Sequence, residues 1–172
     1  ITRGREGFYS LVKMISKWNV KIHWYFVALL FTPISAVLLL TILNQFNNEF
    51  QSTLFQFSEL TTQLLNGVIA GIMVGIFEEL GWTGFAVQNK MKKKSILNVG
   101  LMVGIIWGFW HFILFWQEDS FSKTLPSLIL LGQLFAWLPP FRVLMVWIYS
   151  RTESLLIVIL MHFSLVVTTT VI

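Results

Sequence analysis

Five long apolar segments separated by short polar stretches dominate the pattern of this chain. A helix that spans a bilayer needs about 20 predominantly apolar residues. Five segments come close to or exceed that length: residues 24–43, 60–89, 95–117, 124–150 and 154–172. The pattern therefore predicts an all-α polytopic membrane protein, a helical bundle with about five transmembrane helices.

Prolines interrupt two of the predicted spans. Pro33 lies in the middle of the first span, and Pro139 and Pro140 lie within the fourth. Proline has no backbone N–H, and its ring clashes with the carbonyl four residues earlier, so it kinks or breaks a helix. We expect a kink at Pro33 and a break of the fourth helix near Leu138.

The segment before the first span mixes apolar and basic residues. Over residues 4–23 the apolar positions lie among lysines and arginines, a pattern typical of a helix in the membrane interface; they include Phe8, Leu11, Val12, Ile15 and Trp18. We find no internal repeat and expect a single membrane domain over residues 1–172. Because the chain begins at Ile1 rather than Met, it is compatible with a fragment that lacks earlier spans.

Composition supports a membrane protein and excludes other classes. Apolar residues make up 56% of the chain and charged residues 12%, against about 25% charged in soluble domains. A soluble globule needs charge over its whole surface, and disorder needs more polar segments than this chain has. The absence of cysteine excludes disulfides and thiolate metal ligands.

The basic residues predict the orientation. Of the 12 lysines and arginines, 11 lie before the first span, in the 90–94 loop, or at Arg142 and Arg151; Lys123 alone lies in the opposite set of loops. The positive-inside rule places the larger set in the cytoplasm of a cell (plasma) membrane. The net charge of +4 thus reflects basic residues that mark one side of a bilayer. We therefore expect a lipid bilayer, and no nucleic acid, as a partner.

Charge inside a membrane span is costly and usually functional, and four ionisable residues within the predicted spans form the short list of candidates. They are Glu78, Glu79, His111 and His162. From the cytoplasmic ends of their spans, Glu78, His111 and His162 lie roughly 16, 20 and 12 Å deep. Three spans thus offer polar groups at similar depth. His23 lies at the edge of the first span, where an interfacial position accounts for it.

A row of glycines precedes the two glutamates. Gly67, Gly71 and Gly75 follow one another at four-residue spacing, and Glu79 continues the same row. Small residues at this spacing allow two membrane helices to approach closely. The row therefore predicts helix packing, with Glu79 on the side that faces protein rather than lipid.

Three short motifs surround the candidate residues. Glu78 and Glu79 begin a sequence that resembles a motif of two glutamates, three residues and an arginine. Trp107 and His111 resemble an aromatic residue followed four positions later by histidine, and His162 resembles the histidine of a third motif that ends in Asn or Asp four positions later. In this order and spacing, the chain resembles the intramembrane protease family of CAAX prenyl proteases and bacteriocin-processing enzymes. The resemblance covers roughly residues 4–172.

Two positions depart from that family. Thr83 occupies the place of the arginine in the first motif, and Val166 that of the Asn or Asp in the third. Ser164 is close to Val166 in sequence but points to another face of the helix. These departures leave a second hypothesis open, a non-catalytic bacteriocin-immunity or membrane scaffold protein. A proton-coupled carrier is a third, but it should show paired broken helices in two repeats, which we do not find.

The resemblance implies an intramembrane (metallo)endopeptidase. In that reading the catalytic residues are Glu78, Glu79, His111 and His162. Glu78 is the general base, His111 holds the water or assists proton transfer, and His162 faces the carbonyl oxygen of the substrate. Glu78, His111 and His162 could hold Zn²⁺ with an open position, and a metal-free glutamate mechanism is equally consistent. The implied substrate is a membrane-associated peptide, either the C-terminal tripeptide of a prenylated protein or a bacteriocin-type peptide.

Overall fold

A computed structural model describes residues 4–46, 57–116 and 124–172, and every regular element in these ranges is helical. Two segments are π-helical, which we label π1 and π2. The elements are α1 (Gly4–Ile15), α2 (Ile22–Asn44), α3 (Phe57–Gly81), π1 (Trp82–Val87), α4 (Gln88–Met91), α5 (Ile96–Phe115), α6 (Thr124–Leu131), π2 (Gly132–Trp137), α7 (Leu138–Thr152) and α8 (Leu155–Val171).

The apolar helices match the predicted spans. Among the described residues, four helical stretches are long and apolar enough to cross a membrane: Ile22–Asn44, Glu59–Met91, Ile96–Phe115 and Ser127–Thr152. Helix α8 is a fifth apolar helix of 17 residues. The predicted polytopic helical bundle is therefore confirmed. Gln117, at the predicted end of the third span, and Lys123 lie outside the described residues.

The chain divides by its contacts into two compact units. Unit 1 comprises Ile1–Gly81 and Thr152–Ile172, and unit 2 comprises Trp82–Arg151. Helices α1, α2, α3 and α8 belong to unit 1, and the elements from π1 to α7 belong to unit 2, apart from Thr152 at the end of α7. That the whole chain forms a single domain stays a prediction.

Helix α8 is the centre of unit 1, where it packs against α2 and α3. The predicted glycine row forms the α3 side of this contact. A Cβ atom built on Gly71 would lie 2.8 Å from Cδ2 of Phe163, and one on Gly75 would lie 3.2 Å from the carbonyl oxygen of Ile159. Side chains at these positions would push the helices apart, so the glycines set the close approach of α3 and α8.

The contact between α2 and α8 is built around Pro33. Helix α2 runs from Ile22 to Asn44 through this residue, which has no N–H to give to the carbonyl of Leu29. The hydroxyl of Ser164 on α8 donates to that carbonyl at 2.8 Å. Serine and threonine side chains commonly satisfy backbone groups left by proline in membrane helices. The hydroxyl thus ties the two helices together where the proline falls.

The turn before α8 is fastened to the segment that follows α1. Ser154 Oγ caps α8 by accepting from the N–H of Ile157 and donates to the carbonyl of Lys17 at 2.6 Å. Lys17 Nζ also lies 3.0 Å from Oε2 of Glu153, whose φ of 50° is left-handed. These contacts fix the start of α8 to the interfacial segment.

The fourth span in unit 2 is not broken at its prolines, so the expected break near Leu138 was wrong. The backbone instead widens into π2 over the six residues that precede α7, and the helix continues through Pro139 and Pro140. A π-helix pairs each N–H with the carbonyl five residues back, and such segments absorb local changes in register. The widened turn accommodates the two missing N–H groups without ending the helix.

A second glycine row, which the sequence reading missed, packs α5 against π2 and α7. It consists of Gly100, Gly104 and Gly108. A Cβ atom on Gly104 would lie 2.6 Å from the Cα of Pro139. No real side chain fits at that distance, so the two backbones are in direct contact.

Candidate active site

The buried pair of Glu79 and His162 is the clearest polar feature of unit 1. Glu79 follows Gly75 by one turn on α3, and His162 follows Val158 by one turn on α8. Glu79 Oε1 lies 2.8 Å from His162 Nδ1, and the two side chains are 0% and 1% exposed. The structure therefore brings together two of the four candidate residues, one from each helix of the glycine contact.

This contact assigns the hydrogen on the His162 ring. A carboxylate can only accept, so the hydrogen shared with Glu79 is carried by Nδ1. The other ring nitrogen is Nε2. A carboxylate behind a histidine fixes the ring orientation and stabilises a positive imidazolium, as it does in hydrolytic triads. Glu79 is thus suited to orienting His162 rather than to acting on a substrate itself.

Glu78 has a different environment from its neighbour. Successive residues on a helix point about 100° apart, and Glu78 is half-buried where Glu79 is fully buried. Of the two carboxylates, Glu78 is therefore the one that a water molecule reaches more readily. The two neighbouring glutamates therefore differ: Glu79 is placed to orient a histidine, and Glu78 is more accessible.

His111 lies on α5 in unit 2, and its ring is held by its own helix. Nδ1 lies 3.0 Å from the carbonyl oxygen of Trp107, and because a carbonyl only accepts, the hydrogen is on Nδ1. The imidazole stands nearly perpendicular to the Trp107 ring, with centroids 5.1 Å apart. As for His162, the other ring nitrogen is Nε2.

The two departures from the family motifs lie on the helices of the site. Thr83 is buried within π1, and Val166 is half-buried on α8, one turn after His162. Ser164 does not replace the missing amide, because its hydroxyl is directed to α2, where it donates to Leu29. The expectation that Ser164 points to another face is confirmed.

Arg142 is a buried charge that the sequence reading did not include among the candidate residues. It is 0% exposed inside α7, nine positions before Arg151. Its guanidinium carbon lies 4.0 Å from the centroid of Trp107, in the aromatic position of the second motif. The position of Arg142 inside an apolar segment is the sequence signal that could have identified it.

A catalytic zinc site needs three protein ligands around the ion. In the described ranges, no group of three His, Asp or Glu side chains is arranged to hold a metal ion. The binding of Zn²⁺ by Glu78, His111 and His162 stays a prediction.

Comparisons with known proteins place these motifs in a family. The family model described as Type II CAAX prenyl endopeptidase Rce1-like matches residues 60–168, a range that includes all four candidate residues. CAAX prenyl protease 2 of Methanococcus maripaludis is 27% identical over 143 residues, which cover 80% of this chain and 53% of that protein. The chain thus spans about half the length of this relative. No solved structure matches the chain. The chain belongs to the Rce1-like family of CAAX prenyl endopeptidases, and it is an integral, multi-pass membrane protein of that family.

Proposed function

We propose that this protein is an intramembrane endopeptidase that cleaves a peptide bond beside a prenylated cysteine and releases the C-terminal tripeptide. Family membership and the name of the Methanococcus relative support the substrate class. The observation that carries the proposal is the buried Glu79–His162 pair at 2.8 Å. Burial of such a pair in membrane-spanning helices costs free energy, and ionisable residues placed there are usually functional.

In the proposed mechanism Glu78 is the general base. Its carboxylate removes a proton from a water molecule, and the water oxygen attacks the scissile carbonyl carbon. His111 orients this water by accepting a hydrogen bond at Nε2. The similar depth of these residues in the sequence and their order in the family motifs support this combination.

His162 acts on the other side of the carbonyl. As an imidazolium paired with Glu79, it donates from Nε2 to the oxyanion that forms when water adds. The C–N bond then breaks, and the proton held by Glu78 passes to the leaving amine. The products are the carboxylate of the prenylated cysteine and a free tripeptide. Val166 offers no second donor to the oxyanion, so we expect His162 to carry this role by itself.

Cleavage of a defined peptide tests the proposal. We expect the purified protein to cut a quenched fluorescent peptide that ends in a farnesylated cysteine and three further residues, and to cut the same peptide without the farnesyl group far more slowly. The His111→Ala variant should be slower by about 10²-fold, because the attacking water loses the group that orients it. Mass spectrometry locates the cleaved bond.

Two results of this assay would contradict the proposal. A monodisperse wild-type protein that cuts neither peptide would contradict the endopeptidase and favour an immunity or scaffold role. Preferential cutting of the peptide without farnesyl would contradict the prenylated substrate. Repeating the assay after dialysis against a chelator decides whether Zn²⁺ takes part.

We also propose that the basic loops face the cytoplasm of the plasma membrane. The chain has no cysteine, so single cysteines can be introduced one at a time. An impermeant thiol reagent applied to intact cells should label Asp119→Cys, which lies outside the described residues, and spare Lys93→Cys. Equal labelling, or labelling of Lys93→Cys alone, would contradict the orientation.

A further inference from the structure

Arg142 forms a buried cation–π contact that the proposed mechanism does not use. The guanidinium carbon lies 4.0 Å from the centre of the Trp107 ring, and both side chains are 0% exposed. A cation over an indole face is attracted by the ring quadrupole, and the attraction is strongest where water is excluded. The contact therefore holds the indole in one orientation.

The glycine row on α5 makes this contact possible. A Cβ atom on Gly104 would lie 2.6 Å from the Cα of Pro139 and 3.1 Å from the Cβ of Arg142. The backbone of α7 can approach α5 this closely only because residue 104 has no side chain. Gly104 lies one turn before Trp107, and the arginine side chain extends from the point of closest approach onto the indole.

Trp107 in turn defines the position of His111. The imidazole meets the indole edge to face at 87°, with ring centroids 5.1 Å apart, and its Nδ1 bonds to the Trp107 carbonyl. Because His111 is only half-buried, these contacts with Trp107 limit its rotation. A continuous series of contacts thus leads from Arg142 through Trp107 to the imidazole.

We propose that Arg142 is a positioning residue for His111, acting through the Trp107 ring. The inference rests on the proposed function only in that His111 takes part in hydrolysis. When the guanidinium is removed, the indole is free to turn, and the imidazole loses the surface against which it stands. A displacement of about 1 Å in a catalytic group can cost about 10²-fold in rate.

The kinetic test uses the farnesylated peptide and three variants. Arg142→Met keeps the length of the side chain without its charge, and we expect kcat to fall about 10²-fold while KM changes less than about twofold. Arg142→Lys retains a cation over the ring, so it should keep kcat within about tenfold of wild type. Arg151→Met, at the exposed end of the same helix, is the matched control and should be unchanged.

A double variant separates positioning from a purely structural role. If Arg142 acts through His111, adding Arg142→Met to His111→Ala should cause no further loss of kcat. Additive losses, or an unchanged kcat in a correctly folded Arg142→Met protein, would overturn the inference. Where Arg142→Met does not fold, Arg142→Lys carries the test, and a loss as large as that of His111→Ala would count against it.

Nuclear magnetic resonance of ¹⁵N-labelled histidine gives a readout that needs no activity. The chain has three histidines, and the His111→Ala variant identifies the signals of that ring. We expect the His111 ring signals to shift in Arg142→Met, because the indole against which the ring stands changes its orientation, with the His162 signals unchanged. Unchanged His111 signals would overturn the inference even if the protein proves inactive on the peptide, whereas inactivity of the wild type alone would contradict only the proposed function.

Discussion

Replacing Glu78 with glutamine is expected to lower the rate of peptide cleavage by about 10²–10⁴-fold, the contribution of a general base, while the protein stays folded in the membrane. Glutamine has the size of glutamate but cannot take a proton from water at neutral pH. Since Glu78 is half-buried and lies outside the Glu79–His162 contact, the substitution should leave that pair intact. Cleavage of the farnesylated peptide by the purified variant measures the effect.

The matched control is Glu59→Gln, on the same helix but exposed in its first turn. It should cleave at the wild-type rate. A monodisperse Glu78→Gln protein that cleaves as fast as this control would contradict the assignment of the base. Equal protection of cells from a bacteriocin by the wild-type protein and by a variant without Glu78 would also contradict it, and would favour the non-enzymatic hypothesis.

Breaking the buried pair is expected to have the largest effect on stability. Removal of one partner of a buried hydrogen-bonded pair leaves the other polar group unsatisfied and typically costs about 1–3 kcal/mol. Glu79→Leu should therefore lower the free energy of unfolding by about this amount, because His162 is only 1% exposed. Replacing both residues, as Glu79→Leu with His162→Leu, should recover most of the loss, since an apolar pair can replace a buried ion pair.

Activity should not recover with stability. His162→Ala should cost about 10–10³-fold in rate, the order expected for a single oxyanion donor, and the stable double variant should be no better. Unfolding in detergent measures the stability of the same proteins. The exposed pair of Lys17 and Glu153, with an N···O distance of 3.0 Å, is the control. Glu153→Gln should change stability by less than about 1 kcal/mol, and a larger effect there than at Glu79 would contradict the argument from burial.

The number and the extent of the helices follow from the sequence, because bilayer thickness sets the length of an apolar segment. The two π-helical segments do not follow. One begins at Trp82, three residues after Glu79, and the other ends at Trp137, two residues before Pro139. Their positions depend on which carbonyl each N–H meets, and a hydrophobic pattern holds no information on that pairing. Sequence reasoning therefore predicted a break where the structure has a continuous, widened helix.

For the candidate site, the pattern of small residues was informative on one helix and overlooked on another. The row that ends at Glu79 correctly placed this residue towards protein, but only the structure divides the roles of Glu78 and Glu79, since that division depends on where α8 presents His162. The row of Gly104 and its neighbours was visible in the sequence. Its meaning depends on Arg142, about 40 positions away in the chain.

The bond between Ser164 and the carbonyl of Leu29 constrains the order in which mutations can accumulate at these positions. If Ser164 is lost first, the carbonyl of Leu29 loses its hydrogen-bond donor, and Pro33 has no N–H to replace it. The cost is about 1–2 kcal/mol. If Pro33 changes first to a residue with an N–H, α2 regains its own hydrogen bond and the serine becomes dispensable. Substitution of Pro33 before Ser164 is therefore less costly than the reverse order. Homologues without the proline should vary freely at the serine position.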